Sequence, residues 1–250
     1  MQATLTNHPD ARCEVTLENP LCATGFRSER HRRILELEEQ ITRGQATRRP
    51  RSQMAPIMEE LAGLHHEEAH HEKAIDWARH AMKADQRPSV HLLNLTAMSY
   101  EQLGAPDRAE KHYKEAIRVG QGSTTPRFNL SLLLERQDRR EEALEQIEEV
   151  VRLRPGEGAH HVQRGTLLKK LGRRAEGEEA LHEGVSRLDR EAPVSRWQRV
   201  WRGIAASALG DEATAKRLER EAARARCDAP AFDAEKLPAQ RGTLTRRRGA

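Results

Sequence analysis

Histidines and acidic residues concentrate at residues 65–72, which read HHEEAHHE. Imidazole nitrogens and carboxylate oxygens are suitable ligands for zinc or nickel. His66 and His70 would face one ion only on a continuous helix, and the surrounding pattern predicts a turn between them, which breaks that spacing. We therefore expect a solvated turn here, with no metal and no other cofactor.

Residue types suited to nucleophilic or phosphate chemistry are present without the partners they need. Cys13, Cys22 and Cys227 are odd in number, and none has a histidine placed beside it by spacing. The first two lie outside the repeats described below, and Cys227 lies at the end of the last one. The segment 120–123, GQGS, lacks the pattern of a phosphate-binding loop. We find no candidate active site, and we expect a non-enzymatic protein in a reducing cytoplasm.

Charge and hydropathy disfavour nucleic acid and membrane as partners. Basic residues exceed acidic ones by 43 to 39, and basic runs occur at residues 48–51 and 246–248. Aromatic residues that could stack on bases do not alternate with these cations, so nucleic-acid binding is not favoured. No apolar run is long enough to span a bilayer, and the first residues lack the pattern of a secretory signal.

The elements that must position any site are clearest in the 34-residue unit 124–157. Apolar residues recur three or four apart on both sides of a polar break at residues 137–140, as in two helices that each bury one face. Pro155 and Gly156 end the second helix. One such hairpin has too little apolar surface to offset the entropy of ordering its chain, so it needs neighbours of the same kind.

The same pattern recurs at residues 55–88, 90–123, 158–191 and 196–227. Small residues stand where the two helices of a hairpin must approach closely, and a glycine recurs in the turn. The first-helix positions are Ala62, Ala97, Ser131, Gly165 and Gly203, the second-helix positions are Ala74, Ala109, Ala143, Gly177 and Ala215, and the turn glycines are Gly104, Gly172 and Gly210. We expect Gly165 and Gly177 to face each other within one hairpin.

These residues resemble the tetratricopeptide repeat family, whose helix-turn-helix unit has small residues at the same places. The chain departs from the family at the fourth position, usually a tryptophan, where it has Leu93, Arg127 and His161, among others. The resemblance implies an all-α fold, a right-handed superhelical solenoid of hairpins. We expect a disordered segment at 1–27, a capping helix at 28–44, the array at 55–227 and a disordered basic tail at 228–250.

By the same resemblance, the first helices line a concave groove that binds peptides. The candidate groove residues are Asn94, Met98, Phe128, Asn129, Leu132, Gln163, Lys169, Trp197 and Trp201, and the wider lining includes Glu59, His66, Glu101, Glu135, Val162, Thr166, Lys170 and Ile204. Trp197, near the start of its helix, is expected to face a ligand. Trp201 either joins it or fills the gap beside Gly177 and Gly184.

We expect a monomeric adaptor that binds a peptide segment of another protein. Two alternatives remain open: a regulatory or docking arm of an enzyme complex such as a transferase, and an RNA-binding scaffold. Some tetratricopeptide proteins grip acidic chaperone tails with groove cations, and this chain has Glu59, Asn94, Met98 and Gln163 at corresponding places. Chaperone-tail binding in the groove is therefore not expected.

Overall fold

The protein is a stack of helices in the computed structural model, which describes residues 20–190 and 195–228. Those residues form eleven α-helices and no strand, which confirms the all-α solenoid. The helices are α1 Pro20–Ala46, α2 Arg51–Glu67, α3 His71–Asp85, α4 Val90–Gln102, α5 Pro106–Val119, α6 Thr124–Arg136, α7 Arg140–Leu153, α8 Gly158–Lys170, α9 Arg174–Arg190, α10 Arg196–Leu209 and α11 Glu212–Asp228. Each of them is too short or too polar to cross a bilayer. Most of the segment 1–27, and the tail beyond Asp228, lie outside the described residues.

Helix α1 covers the first hairpin and begins earlier than the pattern indicated. It starts at Pro20 rather than at Ser28. Proline is tolerated in a first turn because its missing N–H would have no helical partner there. The buried side chains of Ile34, Leu37 and Ile41 join the core of the first hairpin, so α1 shields an apolar face of α2 from water.

Helices α2 to α11 form five consecutive hairpins, and one backbone feature is common to all five turns. One residue in the turn after each first helix has a left-handed φ between 59° and 91°. Glycine adopts this conformation freely, whereas other residues do so at a cost. The residues are Ala69, Gly104, Asp138, Gly172 and Gly210.

Helices α8 and α9 pack closest, because glycines face each other across them. A Cβ atom at Gly165 would lie 2.7 Å from the carbonyl oxygen of Gly177, and one at Gly177 would lie 2.8 Å from that of Gly165. Gly158 and Gly184 form a second such pair, at 2.7 Å and 3.0 Å. Backbone therefore touches backbone over this hairpin, as the spacing of small residues predicted.

The first helices of the hairpins lie on the inner side of the stack. Helix α2 contacts α4, α4 contacts α6, and α8 contacts α10. Comparable contacts do not join successive second helices among the described residues. Helices α6 and α8 are joined on this side through Glu135, which contacts Gln163 and Lys170. The first helices thus follow one another along the inner surface, and any groove must be built from their exposed side chains.

Candidate peptide-binding groove

Two asparagines connect neighbouring helices at the centre of the inner surface. The Nδ2 atom of Asn129 on α6 donates to the Oδ1 atom of Asn94 on α4 at 3.0 Å. The Nδ2 atom of Asn94 lies 3.4 Å from the sulfur of Met98, one turn further along α4. Asn94 is nearly buried and Asn129 is partly exposed, so Asn129 is the amide that a ligand would meet first.

A carboxylate of each central first helix pairs with a cation of the next. Arg136 on α6 forms an ion pair with Glu101 on α4. Lys170 on α8 lies 2.6 Å from Glu135 on α6. The spacing repeats because each acid and each cation occupies the same place in its own hairpin. These ion pairs join successive hairpins along the inner surface.

Each of these two carboxylates also accepts a hydrogen bond from a neighbouring side chain. The phenol of Tyr113 donates to Glu101 at 2.5 Å, and the amide of Gln163 donates to Glu135 at 2.6 Å. Burial raises the pKa of Glu101, while Arg136 and the Tyr113 hydroxyl oppose that rise. Burial also raises the pKa of Tyr113, and the neighbouring Glu101 charge adds to the effect. The groove floor is therefore polar but internally neutralised.

A cavity of about 130 Å³ opens between α4 and α6 beside this network. Its walls combine apolar side chains with amide, carboxylate and guanidinium groups. It is lined by Met98, Glu101, Gln102, Tyr113, Asn129, Leu132 and Arg136. Three of the candidate groove residues, Met98, Asn129 and Leu132, thus meet at one depression of the inner surface.

An aromatic cluster closes the C-terminal end of the groove. The ring of Phe128 on α6 lies 5.5 Å from that of Trp201 and 6.5 Å from that of Trp197, both on α10. His160 on α8 lies 5.2 Å from Phe128, and burial lowers the pKa of His160 to about 4. The cluster therefore spans three hairpins through side chains that share an apolar environment.

The two tryptophans of this cluster differ sharply in exposure. Their ring centroids are 5.4 Å apart, yet Trp201 is 3% exposed and Trp197 is 55% exposed. Trp201 does not fill the space beside Gly177 and Gly184, because α8 itself occupies that space through Lys169 and Val162. The ring of Trp201 packs on Phe128 instead, and Trp197 presents most of its surface to solvent.

Lys169 lies apart from the other candidate groove residues. Its Nζ atom donates to the carbonyl oxygen of Ala208 on α10, and it lies 3.7 Å from Glu178 on α9. This ammonium ion thus ties α8 to the last hairpin and is not free to bind a ligand. Gln163 is likewise buried and committed to Glu135.

The histidine-rich run lies across the turn between α2 and α3. The His65 and His70 rings are 5.7 Å apart, and those of His66 and His71 are 5.3 Å apart. His66 is engaged through Nδ1 with the Ser99 hydroxyl at 2.9 Å, and burial lowers its pKa to about 4. In residues 20–190 and 195–228, no three His, Cys, Asp or Glu side chains converge as metal ligands.

Three contributors to the groove were missed by the sequence reasoning, namely Tyr113, Arg136 and His160. Tyr113 belongs to a second helix, so no pattern on the first helices indicates that its hydroxyl reaches Glu101. Arg136 directly follows the candidate residue Glu135. An acid in one hairpin and a cation in the next recur only twice, as Glu101 with Arg136 and Glu135 with Lys170, and two occurrences are too few to predict an ion pair from the sequence. His160 meets Phe128 only through the stacking of α6 on α8.

The fold and the inner surface define an α-helical repeat solenoid, and one of its hairpins matches a known family model. Residues 90–119, which span α4 and α5, match the family model described as a tetratricopeptide repeat. The other hairpins repeat the same turn conformation and spacing. The match covers one of the five hairpins, and in its fold the chain is similar to tetratricopeptide repeat proteins. No curated protein matches it.

Solved structures share this fold at low sequence identity. BtubC (BKLC) from P. vanneervenii has a TM-score of 0.58 at 18% identity, covering 81% of this chain and 93% of that one. TTC0263, a thermophilic TPR protein in Thermus thermophilus, has a TM-score of 0.55 at 19% identity, covering 70% and 97%. MamA 41-end from Desulfovibrio magneticus RS-1 has a TM-score of 0.51 at 14% identity, covering 71% and 97%. At these identities the likeness concerns the fold.

Proposed function

We propose that this chain is a non-enzymatic scaffold that binds a peptide segment of a partner protein along its inner surface. Extended inner surfaces are what helical repeat proteins use to hold partners. The observation that supports the proposal most is the exposure of Trp197, whose ring packs against the buried ring of Trp201 at one end of that surface. An exposed tryptophan on a rigid support is a typical binding hot spot.

The polar centre of the groove suits a peptide backbone. Asn129 is fixed by its bond to Asn94, and its own Oδ1 atom remains an acceptor for an N–H donor. The carboxylates nearby are already neutralised by Arg136 and Lys170. We infer that recognition rests on amide hydrogen bonds and apolar contact, with an adaptor role and a monomeric state as part of this proposal.

Selection of random short peptides on the immobilised full chain tests the proposal. Selected peptides should bind Trp197→Ala and Asn129→Ala more weakly than the wild type. Arg152→Ala is the matched control, because Arg152 is exposed on the second helix α7 and, among the residues that the structure describes, pairs with Glu149 alone. Peptides that bind all four proteins equally would place recognition outside the groove and overturn the proposal.

A docking arm of an enzyme complex is the second candidate. Leu35 on the outer side of α1 is 53% exposed, which favours contact with a large subunit at the N-terminal end. Such an arm would co-purify with one large protein, and Leu35→Glu would release it. If the Leu35→Glu protein kept that partner and the Trp197→Ala protein lost it, the result would favour binding in the groove.

A further inference from the structure

A crevice of about 420 Å³ lies between the first and second hairpins and shares no lining residue with the depression of the groove. Its volume falls in the range of small-ligand and side-chain pockets. It is formed by the end of α3, the turn before α4, and the faces of α4 and α5. The lining residues are Met82, Lys83, Gln86, Arg87, Pro88, Leu93, His112 and Glu115.

The next hairpin shows what fills the corresponding place elsewhere. There Arg127 on α6 donates to Gln146 on α7 at 3.2 Å, across a separation of 19 residues. Leu93 and His112 hold the same two places in the second hairpin. A leucine cannot make that bond, and the Nδ1 atom of His112 is buried without a hydrogen-bond partner among the described residues.

In the fourth hairpin, the position that corresponds to Leu93 also carries a polar side chain, that of His161. His161 is almost fully buried there, and its Nε2 atom lies 2.8 Å from the carbonyl oxygen of Pro155. The crevice beside Leu93 thus departs from the arrangement of two later hairpins. Buried polar atoms without a hydrogen-bond partner also occur at Arg127 Nε and His161 Nδ1, so the crevice is distinguished by its open volume beside Leu93 and not by the Nδ1 atom of His112.

The rim of the crevice is cationic. Lys83 and Arg87 are exposed, and neither forms an ion pair within the described part of the chain. Glu115 is the acidic residue of the lining, and it lies 3.5 Å from Arg118 on the same helix. Two uncompensated cations therefore remain beside an apolar floor.

The imidazole of His112 is held in place by its neighbours. It stacks on Tyr100 with ring centroids 5.3 Å apart and an interplanar angle of 13°. Burial lowers the pKa of His112; Glu115 acts against this, and Lys111 and Arg79 add to it. A carboxylate entering the crevice would favour the protonated imidazole, so ligand binding would raise this pKa.

We propose that this crevice is a second docking site, separate from the groove, for an acidic segment of a partner protein. An apolar side chain of that segment enters between Met82, Pro88 and Leu93. Its flanking carboxylates meet Lys83 and Arg87. The apolar floor provides burial and the cations provide orientation.

Peptide titrations followed by methyl and imidazole NMR of the full chain test this site. The probe is the acetylated, amidated peptide Glu-Asp-Leu-Phe-Asp-Glu, compared with Lys-Arg-Leu-Phe-Arg-Lys and Glu-Asp-Ser-Ser-Asp-Glu. We expect the first peptide alone to shift Met82, Leu93 and His112. The double change Lys83→Glu with Arg87→Glu should weaken its binding at least about tenfold, because both charges face the ligand.

Matched variants separate the crevice from general electrostatics and from the groove. Lys216→Glu with Arg220→Glu makes the same change of charge on exposed residues of α11 and should leave binding intact. Leu93→Trp should fill the crevice and abolish the shifts, and Trp197→Ala should preserve them. Equal weakening by the α11 control, equal binding of either comparison peptide, or unchanged binding by Leu93→Trp would overturn the proposal.

Discussion

Two tryptophans one helical turn apart on α10 have different environments, and burial decides the role of each. Trp201 packs on Phe128 and is removed from water, so its area stabilises the last hairpin. Trp197 shares the same cluster through one edge and leaves the rest of its ring exposed. Only the exposed ring can exchange water for a ligand.

Replacement of Trp197 by alanine should therefore affect binding more than folding. We expect partner affinity to fall by about 2 kcal/mol or more, because a buried aromatic contact with the ligand is lost. The melting temperature should change little. Isothermal titration with a selected peptide and a thermal melt measure the two quantities on the same sample.

Trp201→Ala is the matched comparison for that change. It opens a cavity inside the aromatic cluster and should cost about 3 to 5 kcal/mol of unfolding free energy. Chemical denaturation measures this loss. A stable Trp201→Ala protein together with an unfolded last hairpin in Trp197→Ala would reverse the roles assigned to the two rings.

At the scale of elements, glycine pairs set the distance between α8 and α9. Gly165 with Gly177, and Gly158 with Gly184, leave no room for a methyl group on either side. The first three hairpins have alanine or serine at the corresponding place of the first helix, namely Ala62, Ala97 and Ser131. In the last hairpin, a Cβ atom at Gly203 would meet Leu218 and Ala215 at 3.7 Å and 3.8 Å, which is ordinary contact.

Gly165→Ala should destabilise the protein by about 1 to 3 kcal/mol, because the new methyl group would overlap the backbone of Gly177. The neighbouring side chains cannot relieve a contact with a carbonyl oxygen. Urea denaturation followed by far-ultraviolet circular dichroism measures the loss. The larger Gly165→Leu change should force the helices apart and cost at least as much.

Gly63→Ala serves as the internal control for the glycine argument. Gly63 lies within α2, and a Cβ atom there would meet no atom within 4 Å. Alanine should therefore stabilise the helix by roughly 0.5 to 1 kcal/mol through its better propensity. If both substitutions had the same sign, helix propensity rather than close packing would explain the effect at Gly165.

At the scale of the whole molecule, ion pairs between successive first helices neutralise the inner surface. Arg136 is committed to Glu101, Lys170 to Glu135, and Lys169 to the carbonyl oxygen of Ala208. An acidic ligand entering the groove would have to displace these internal partners. The cations of this surface connect hairpins instead of forming an anion site.

An acidic chaperone-tail peptide should consequently leave the groove unperturbed. We expect no shift of the Asn94 and Asn129 side-chain amide signals when such a peptide is added. Amide NMR separates this result from any binding at the crevice, where Leu93 and His112 respond. Micromolar binding that moves Asn129 would contradict the expectation.

Two partly buried histidines should make the whole solenoid less stable in acid. Burial lowers the pKa of His66 and of His160 from 6.5 to about 4, so the unfolded chain binds more protons than the folded one between these values. Stability should therefore fall as the pH decreases through that window. Denaturant midpoints between about pH 4 and pH 8 measure the slope.

The double change His66→Gln with His160→Gln should flatten this dependence while keeping hydrogen-bonding groups in place. Glu101 acts in the opposite sense, since burial raises its pKa and favours the protonated acid in the folded state. An unchanged slope in the double variant would assign the acid sensitivity to other groups.

Local chemistry was sufficient to predict the helices, the hairpins and their closest contacts. The small residues at fixed spacing predicted the contact between Gly165 and Gly177. Where two helices touch along their backbones, neither position has room for a larger side chain. The turn glycines could also be predicted from the sequence, because a turn position with left-handed φ favours glycine. These features depend on neighbours within one hairpin.

The environment of each groove residue was decided by the stacking of hairpins. Phe128 and Trp201 are 73 residues apart in the chain, and their contact depends on how far the stack turns between α6 and α10. The same stacking buried Trp201, left Trp197 exposed, and committed Lys169 to α10. Spacing along one helix fixes which side chains share a face, whereas burial and partners depend on the neighbouring helices that cover that face.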